Sequence, residues 1–247
     1  MTTATLGQKR KHNMLKLITL DLDNTLWDVT PTIVAAEKTL VLWLQENIPT
    51  VLPYYQKDNL LALRKQFSQE NPEQKFFPTL MRKYILRHCF LQAGINETDI
   101  EQTVERAFSI FIHARNDVTL FPESLDILAY LSSRYEVIAL SNGNADLTMI
   151  GIDHFFTAHY SAESIGKAKP DPAMFIKALD TSHSIAAETL HVGDHAIEDI
   201  EVANSLGFHT IWFNENNQQD SKLCIPTSEI NKLADLITEI DKINRSL

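Results

Sequence analysis

Glycine and proline are scarce in this chain, seven and nine among 247 residues. That excludes collagen-like repeats and low-complexity linkers, and no internal repeat at solenoid periods is visible. Cysteine is scarcer still. Cys89 and Cys224 lie far apart and form no CxxC pair, which argues against a disulfide scaffold and for a reduced, cytoplasmic compartment. Neither has neighbours that would lower a thiol pKa, so cysteine catalysis is not expected. No run of about 18 apolar residues occurs, so no membrane span is predicted. The N-terminus lacks an apolar core of the secretory type, so no leader is expected. Positive charge is also in short supply: the formal net charge is −10, which argues against a nucleic-acid partner. The exception is Lys9-Arg10-Lys11, in a stretch (residues 1–13) that reads as a disordered basic tail.

What is present is a 44% hydrophobic chain, enough for one large core or a core with a smaller second domain. Short β-prone runs occur at Leu15–Leu20, Val137–Leu140, Thr157–Tyr160, Thr189–Val192 and His209–Phe213. Helical patterns lie between and after them, at Pro122–Ser133, Pro172–Leu179, Ile197–Leu206 and Ile230–Ile243. This alternation predicts an α/β fold with a Rossmann-like parallel sheet covered on both faces. Between the first two strands only helices are predicted: Thr32–Gln45, Asp58–Gln69, Glu73–Ala93 and Glu97–Arg115, the first with Thr30 as cap and Pro31 suited to its first helical position. Such an insertion is too long for a crossover helix and reads as an all-helical cap. The predicted division is a core of 14–28 and 117–247 and a cap of 29–116.

Polar residues cluster at the predicted strand ends, where open parallel sheets bind ligands. Asp21 and Asp23 follow the first strand, two carboxylates at i and i+2. A carboxylate nucleophile can take a phosphoryl group and split one hard step into two; a second carboxylate can protonate the leaving oxygen and then activate water. Solvated acids in a turn are the competing reading. Ser141-Asn142-Gly143 follows the second strand, where a hydroxyl and backbone N–H groups can hold a phosphoryl oxygen, although Asn-Gly also marks an ordinary turn. Lys169, between Ala168 and Pro170, is a candidate cation for phosphate and for keeping Asp21 ionised; Lys167 is its rival. Asp194 follows the fourth strand and with Asp21 would supply two hard oxygen ligands for Mg²⁺. Asp199, on the helix that starts there, would orient Asp194 or a metal-bound water. Glu198 and Glu201 read as acids suiting a helix dipole. His191 and His195 have an i, i+4 spacing, but Gly193 and a strand end interrupt it, which argues against zinc.

The ordered set Asp21-Leu22-Asp23-Asn24-Thr25, Ser141-Asn142, Lys169-Pro170 and Gly193-Asp194…Asp199 resembles the haloacid dehalogenase superfamily, and the inserted helices resemble its C1-type cap. The resemblance implies Asp21 as nucleophile and Asp23 as acid/base whose backbone carbonyl also ligates Mg²⁺. It implies Ser141, Asn142 and Lys169 at the phosphate, Asp194 completing the metal site, Asp199 behind it, and Thr25 bonding to the acids. An Asp at position 23 favours phosphoryl hydrolysis over dehalogenation. A narrower similarity, in Trp27-Asp28, Ser141–Ala145, Leu190–Asp194 and Thr210–Phe213, is to bacterial phosphatases of the riboflavin pathway. It implies flavin mononucleotide or a ribitylaminouracil phosphate as the small phosphorylated substrate, with Arg82 as a specificity residue. The alternatives it leaves open are a sugar-phosphate phosphatase of the acylneuraminate type and a phosphomutase.

Overall fold

The computed structural model describes residues 14–215 and 225–247; the basic triplet and Cys224 lie outside them. Six parallel strands form one sheet: β1 (Leu17–Leu20), β2 (Glu136–Ser141), β3 (Ala158–Ser161), β4 (Thr189–Gly193), β5 (His209–Phe213) and β6 (Ser228–Ile230). Their order is β3-β2-β1-β4-β5-β6. The chain winds from β1 through β2 to β3 on one side, then crosses to β4 on the other. The switch point therefore lies between β1 and β4, the place where a ligand crevice opens at the carboxyl ends. Register brings the ends level: Leu20 pairs with Ala139 on one side and with Val192 on the other.

The period of two along each strand divides the core. Ile18, Leu20, Val137, Ala139, Leu190 and Val192 face one way, against α5 (Ser124–Ser132) and α10 (Leu236–Ser246). Leu17, Ile138 and Leu140 face the other, against α8 (Ala173–Ser182) and α9 (Val202–Ser205). Thr19 and His191 share this second face and are fully buried.

Between β1 and β2 come α1 (Val29–Asn47), α2 (Lys57–Glu70), α3 (Pro78–Gln92) and α4 (Ile100–Arg115). They bury a cluster of their own, in which Leu40, Leu44, Leu86, Phe90 and Phe111 interlock. Burial of each such side chain is worth about 1.5–3 kcal/mol. The short helices α6 (Leu147–Ile150) and α7 (Ala162–Ile165) follow β2 and β3.

Several element ends differ from the sequence expectation. The cap of α1 is Asp28, whose side chain accepts from Thr30 N, so Thr30 lies inside the helix and Pro31 is its third residue rather than its first. Residues 72–76 form a turn and Phe77 is extended rather than helical, because Pro78 has no N–H to give, disfavours a helical residue before it and sits at the first helical position of α3. Ile197–Leu206 is not a regular helix: Ala196–Glu201 is a π-helical turn, with Ile200 N donating to His195 O at 3.3 Å, and only Val202–Ser205 is α-helical. Ile230 ends β6, in register with Phe213, and α10 starts six residues later.

Candidate active site

β1 delivers Asp21 to the rim, and the next six residues fold back tightly. Asn24 takes a left-handed φ of 61°, a conformation Asn tolerates better than most residues. Leu26 N donates to Leu22 O (2.9 Å), and Trp27 is fully buried behind the loop. Thr25 Oγ1 donates to Asp21 Oδ2 (3.2 Å) and Trp27 Nε1 donates to Asp23 Oδ1 (2.8 Å). Both acids are thereby aimed by residues within four positions.

Lys169 comes from the loop before α8 and is 2% exposed. Its Nζ donates to Asp21 Oδ1 (2.7 Å), to Leu140 O (2.9 Å) and to Asp199 Oδ1. Asn142 places this lysine: its Oδ1 accepts from Lys169 N (2.7 Å) and its Nδ2 donates to Lys169 O (3.0 Å) and to Glu198 Oε2 (2.8 Å). The Asn142 side chain is thus engaged with protein groups, and Glu198 has a partner beyond any helix dipole. Ser141 is buried at the end of β2, with its Oγ accepting from Gly143 N (2.9 Å). The rival lysine, Lys167, points elsewhere and pairs with Glu73 at 3.0 Å.

Asp194 follows β4, and its backbone carbonyl accepts from Trp212 Nε1 (2.8 Å). Oxygens of Asp21, Asp194 and Asp199 lie within 4.8 Å of one another, the one such grouping of potential metal ligands among the described residues. Asp199 is engaged on both oxygens. Oδ1 meets Lys169 and His191 Nε2 (3.2 Å), and Oδ2 accepts from His195 N (3.0 Å). His191 in turn meets Thr19 Oγ1 through Nδ1 (2.8 Å). A buried chain of polar groups, Thr19–His191–Asp199–Lys169–Asp21, therefore runs up one face of the sheet. His195 Nδ1 accepts from Ile197 N and Glu198 N and caps the π turn, so the two histidines serve the acids and the turn.

The electrostatics follow from burial. Burial opposes charge on Asp199, but Lys169 and His191 outweigh it and hold its carboxyl far below the usual range. Asp21 moves the other way: burial, with the charges of Asp199 and Asp194, raises it well above the ordinary value despite Lys169. Burial and the charge of Asp199 also lift Asp194 to about 7. Lys169 stays protonated because Asp199 and Asp21 more than offset its own burial. Three acids share one ammonium, and the surplus negative charge falls on Asp21 and Asp194. A hard dication accepting carboxylate oxygens fits that surplus.

Two cationic side chains on the inserted helices reach inward. Arg82, on α3, is 14% exposed. It pairs with Glu37 (2.8 Å) and lies 3.5 Å over the Phe111 ring, so its charge is already met by protein; it also lines a cavity of about 330 Å³ shared with Phe76, Met81 and Asn144. Arg115 has no counterpart in the sequence expectations. It ends α4 and is 1% exposed. Its Nη2 donates to Asp23 Oδ1 (2.8 Å) and Oδ2 (2.6 Å), and its Nε donates to Asn144 Oδ1 (3.0 Å). Its Nη1 is buried without a hydrogen-bond partner among the described residues. Asp23 and Arg115 are 92 positions apart, and no local pattern links them.

A family model described as haloacid dehalogenase-like hydrolase matches residues 15–207. Among curated proteins, 5-amino-6-(5-phospho-D-ribitylamino)uracil phosphatase YigB of Escherichia coli is 28% identical over 231 residues, covering 92% of this chain and 96% of that protein. Glyceraldehyde 3-phosphate phosphatase of Pyrococcus abyssi is 26% identical over 245 residues, covering 94% and 97%. The crystal structure of a 2-haloacid dehalogenase from Pseudomonas syringae superposes with a TM-score of 0.88 at 35% identity, covering 93% of this chain and 99% of that one.

Proposed function

The chain belongs to the haloacid dehalogenase-like hydrolase family, and from that premise we propose that it is a Mg²⁺-dependent phosphomonoesterase acting through an aspartyl-phosphate on Asp21. The observation that carries the reading is Asp23, a carboxyl aimed at the rim beside Asp21 by Trp27 and Arg115. A departing halide needs no proton. A departing alkoxide does, and an adjacent acid supplies it. The dehalogenase reading, raised by the similar Pseudomonas structure, leaves that acid without work.

Lys169 and Thr25 hold the two oxygens of Asp21 and orient it for attack on phosphorus. The P–O bond to the leaving group breaks as Asp23 gives its proton to the departing oxygen. Asp23 then takes a proton from water, which attacks phosphorus and frees Asp21 and inorganic phosphate. Lys169, the Ser141 hydroxyl and backbone N–H groups near Asn142 offset charge on the phosphoryl oxygens. Asp21, Asp194 and the backbone carbonyl of Asp23 would hold Mg²⁺, which supplies further charge neutralisation at phosphate; Asp199, with both oxygens engaged, orients its neighbours.

We read α1–α4 as a cap over this rim. The substrate we propose is a phosphate on a ribityl-type chain, flavin mononucleotide or a ribitylaminouracil phosphate. The similarity to YigB supports that choice; a cavity of about 570 Å³ between Thr79, Phe108 and Ile112 of the helices and Asn144, Asp146 and His159 of the sheet side is lined by none of Asp21, Asp23, Lys169 and Asp194 and carries no weight in it. The test is release of phosphate, with Mg²⁺, from flavin mononucleotide, sugar phosphates and p-nitrophenyl phosphate, run beside release of halide from 2-haloacids. Preference for a sugar phosphate by about tenfold, or 1.4 kcal/mol, removes the ribityl reading and leaves the phosphatase. Formation of an isomeric phosphate marks a mutase, and halide release without phosphate release overturns the proposal.

A further inference from the structure

Asp23 is gripped from two sides. Trp27 belongs to its own loop, but Arg115 arrives from the end of α4, after the chain has traversed all four inserted helices. The guanidinium spends Nη2 on Asp23 and Nε on Asn144. Asn144 itself donates to Thr79 Oγ1 (3.3 Å) and lines both cavities beside the helices. The fit is close. A Cβ on Gly143 would lie 2.4 Å from Asp23 Oδ2 and 3.2 Å from Arg115 Nη2, so only glycine lets the pair meet there. A buried arginine serving the fold alone is expected to satisfy its donors, yet Nη1 is left over. A fixed fork with a donor to spare, on the acid that must deliver a proton, is placed for the reaction.

We infer that Arg115 is a positioning residue for Asp23, holding its carboxyl in line with the leaving oxygen and tying that orientation to the position of the inserted helices. The inference rests on the reading of Asp23 as acid/base. Because Arg115 ends α4, displacement of these helices pulls the guanidinium from Asp23, so proton delivery is set when they are seated over the rim. Proton transfer tolerates little misplacement, and a shift of about 1 Å far from the chemistry can cost on the order of 10²-fold.

The experiment is a leaving-group series on the full chain with Mg²⁺, comparing simple alkyl phosphates with p-nitrophenyl phosphate. It uses wild type, Arg115→Gln, Arg115→Lys, Asp23→Asn and the double variant Arg115→Gln/Asp23→Asn. Arg115→Gln should lower kcat for alkyl phosphates by about 10- to 100-fold, part of what general acid–base catalysis contributes. Its loss with p-nitrophenyl phosphate should be about tenfold smaller, since that leaving group needs less help from an acid. Added to Asp23→Asn, it should change kcat by less than about twofold, the scatter of independent sites. Arg115→Lys, which keeps a cationic donor, should recover part of the loss with the same leaving-group dependence, and it stands in if the Gln variant fails to fold. Equal losses across leaving groups, additive effects with Asp23→Asn, or failure of both single variants to fold make Arg115 structural and overturn the inference. If Asp23→Asn is itself blind to the leaving group, or wild type releases no phosphate, the acid/base reading fails and this inference falls with it. If Asp23→Asn shows the dependence and the Arg115 variants do not, this inference fails alone.

Discussion

Gly193→Ala tests the supporting architecture of the site without touching a reacting group. Gly193 ends β4, and its backbone is not left-handed, so only space is at issue. An added methyl would lie 2.4 Å from both Cγ and Oδ2 of Asp199 and 2.6 Å from its Cβ. Ordinary contact begins near 3.4 Å, so something must retreat by about 1 Å. Asp199 cannot do so freely, because Lys169 and His191 hold one oxygen and His195 N holds the other. Overpacking of this kind costs about 1–3 kcal/mol, readable as a lower urea midpoint. The effect on turnover should be larger in proportion. Moving Asp199 moves Lys169, and Lys169 carries Asp21, so a loss of kcat on the order of 10²-fold is expected in a protein that remains folded. The assay is phosphate release at saturating substrate and Mg²⁺, with the urea midpoint of the same preparation. A variant with kcat within about threefold of wild type and an unchanged midpoint refutes the reasoning, because both magnitudes rest on one displacement.

Chelation should abolish phosphate release and added Mg²⁺ should restore it; full turnover after metal stripping in excess chelator contradicts the assignment of Asp21 and Asp194. The stabilisation conferred by Mg²⁺ should grow as pH rises from about 4 to about 7. In the metal-free protein burial and Asp199 hold a proton on Asp194 up to about 7, and Asp21 is raised as well. The unfolded chain loses these protons near the ordinary value of 3.8, so across that window the folded metal-free form binds more protons and loses stability as pH rises. Metal competes with those protons. The readout is the difference between Mg²⁺-loaded and chelated urea midpoints across that window; a difference that shrinks with pH would contradict this. Lys169→Met should remove turnover and destabilise the fold by about 3–5 kcal/mol, since it strips a buried cation from two carboxylates. Lys167→Ala should leave turnover intact, because Lys167 is exposed and pairs only with Glu73 among the described residues; equal losses for the two lysines in phosphate release would reverse the choice between them.

Most of the sheet was legible because its strands are apolar runs that stop at acids or at Ser-Asn-Gly. Leu17–Leu20 and Thr189–Gly193 are buried along their whole length, and a strand buried on both faces reads as a continuous run. β6 was not legible. It has three residues, Ser228-Glu229-Ile230, on the edge of the sheet, too short and polar for any periodicity, so its Ile230 was absorbed into the helical pattern of α10. The π turn at Ala196–Glu201 reads as helix by composition. What widens it is tertiary: Asp199 reaches back to His195 N and across to Lys169, and a wide turn at a functional site is a familiar outcome of such demands.

The site divides along the same line. Thr25 and Asp21, or Trp27 and Asp23, lie four positions apart, so a short loop after a strand brings them together and the motif is visible. Asn142 was visible as a turn residue, but its grip on both backbone groups of Lys169 spans 27 positions and depends on how β2 and the loop before α8 are laid side by side. The spacing Gly193-Asp194…Asp199 puts Asp194 at the cation and Asp199 behind it, but the groups that engage Asp199 are visible only in the fold. His191 and Thr19, two residues that look like ordinary strand positions, stand on the same face of β4 and β1 and deliver a ring nitrogen to Asp199. Lys169 offsets the charge of Asp199, His191 adds a hydrogen bond to it, and the surplus charge is left on Asp21 and Asp194. The polar residues on one face of a buried sheet therefore decide which carboxylates at its rim carry the surplus charge.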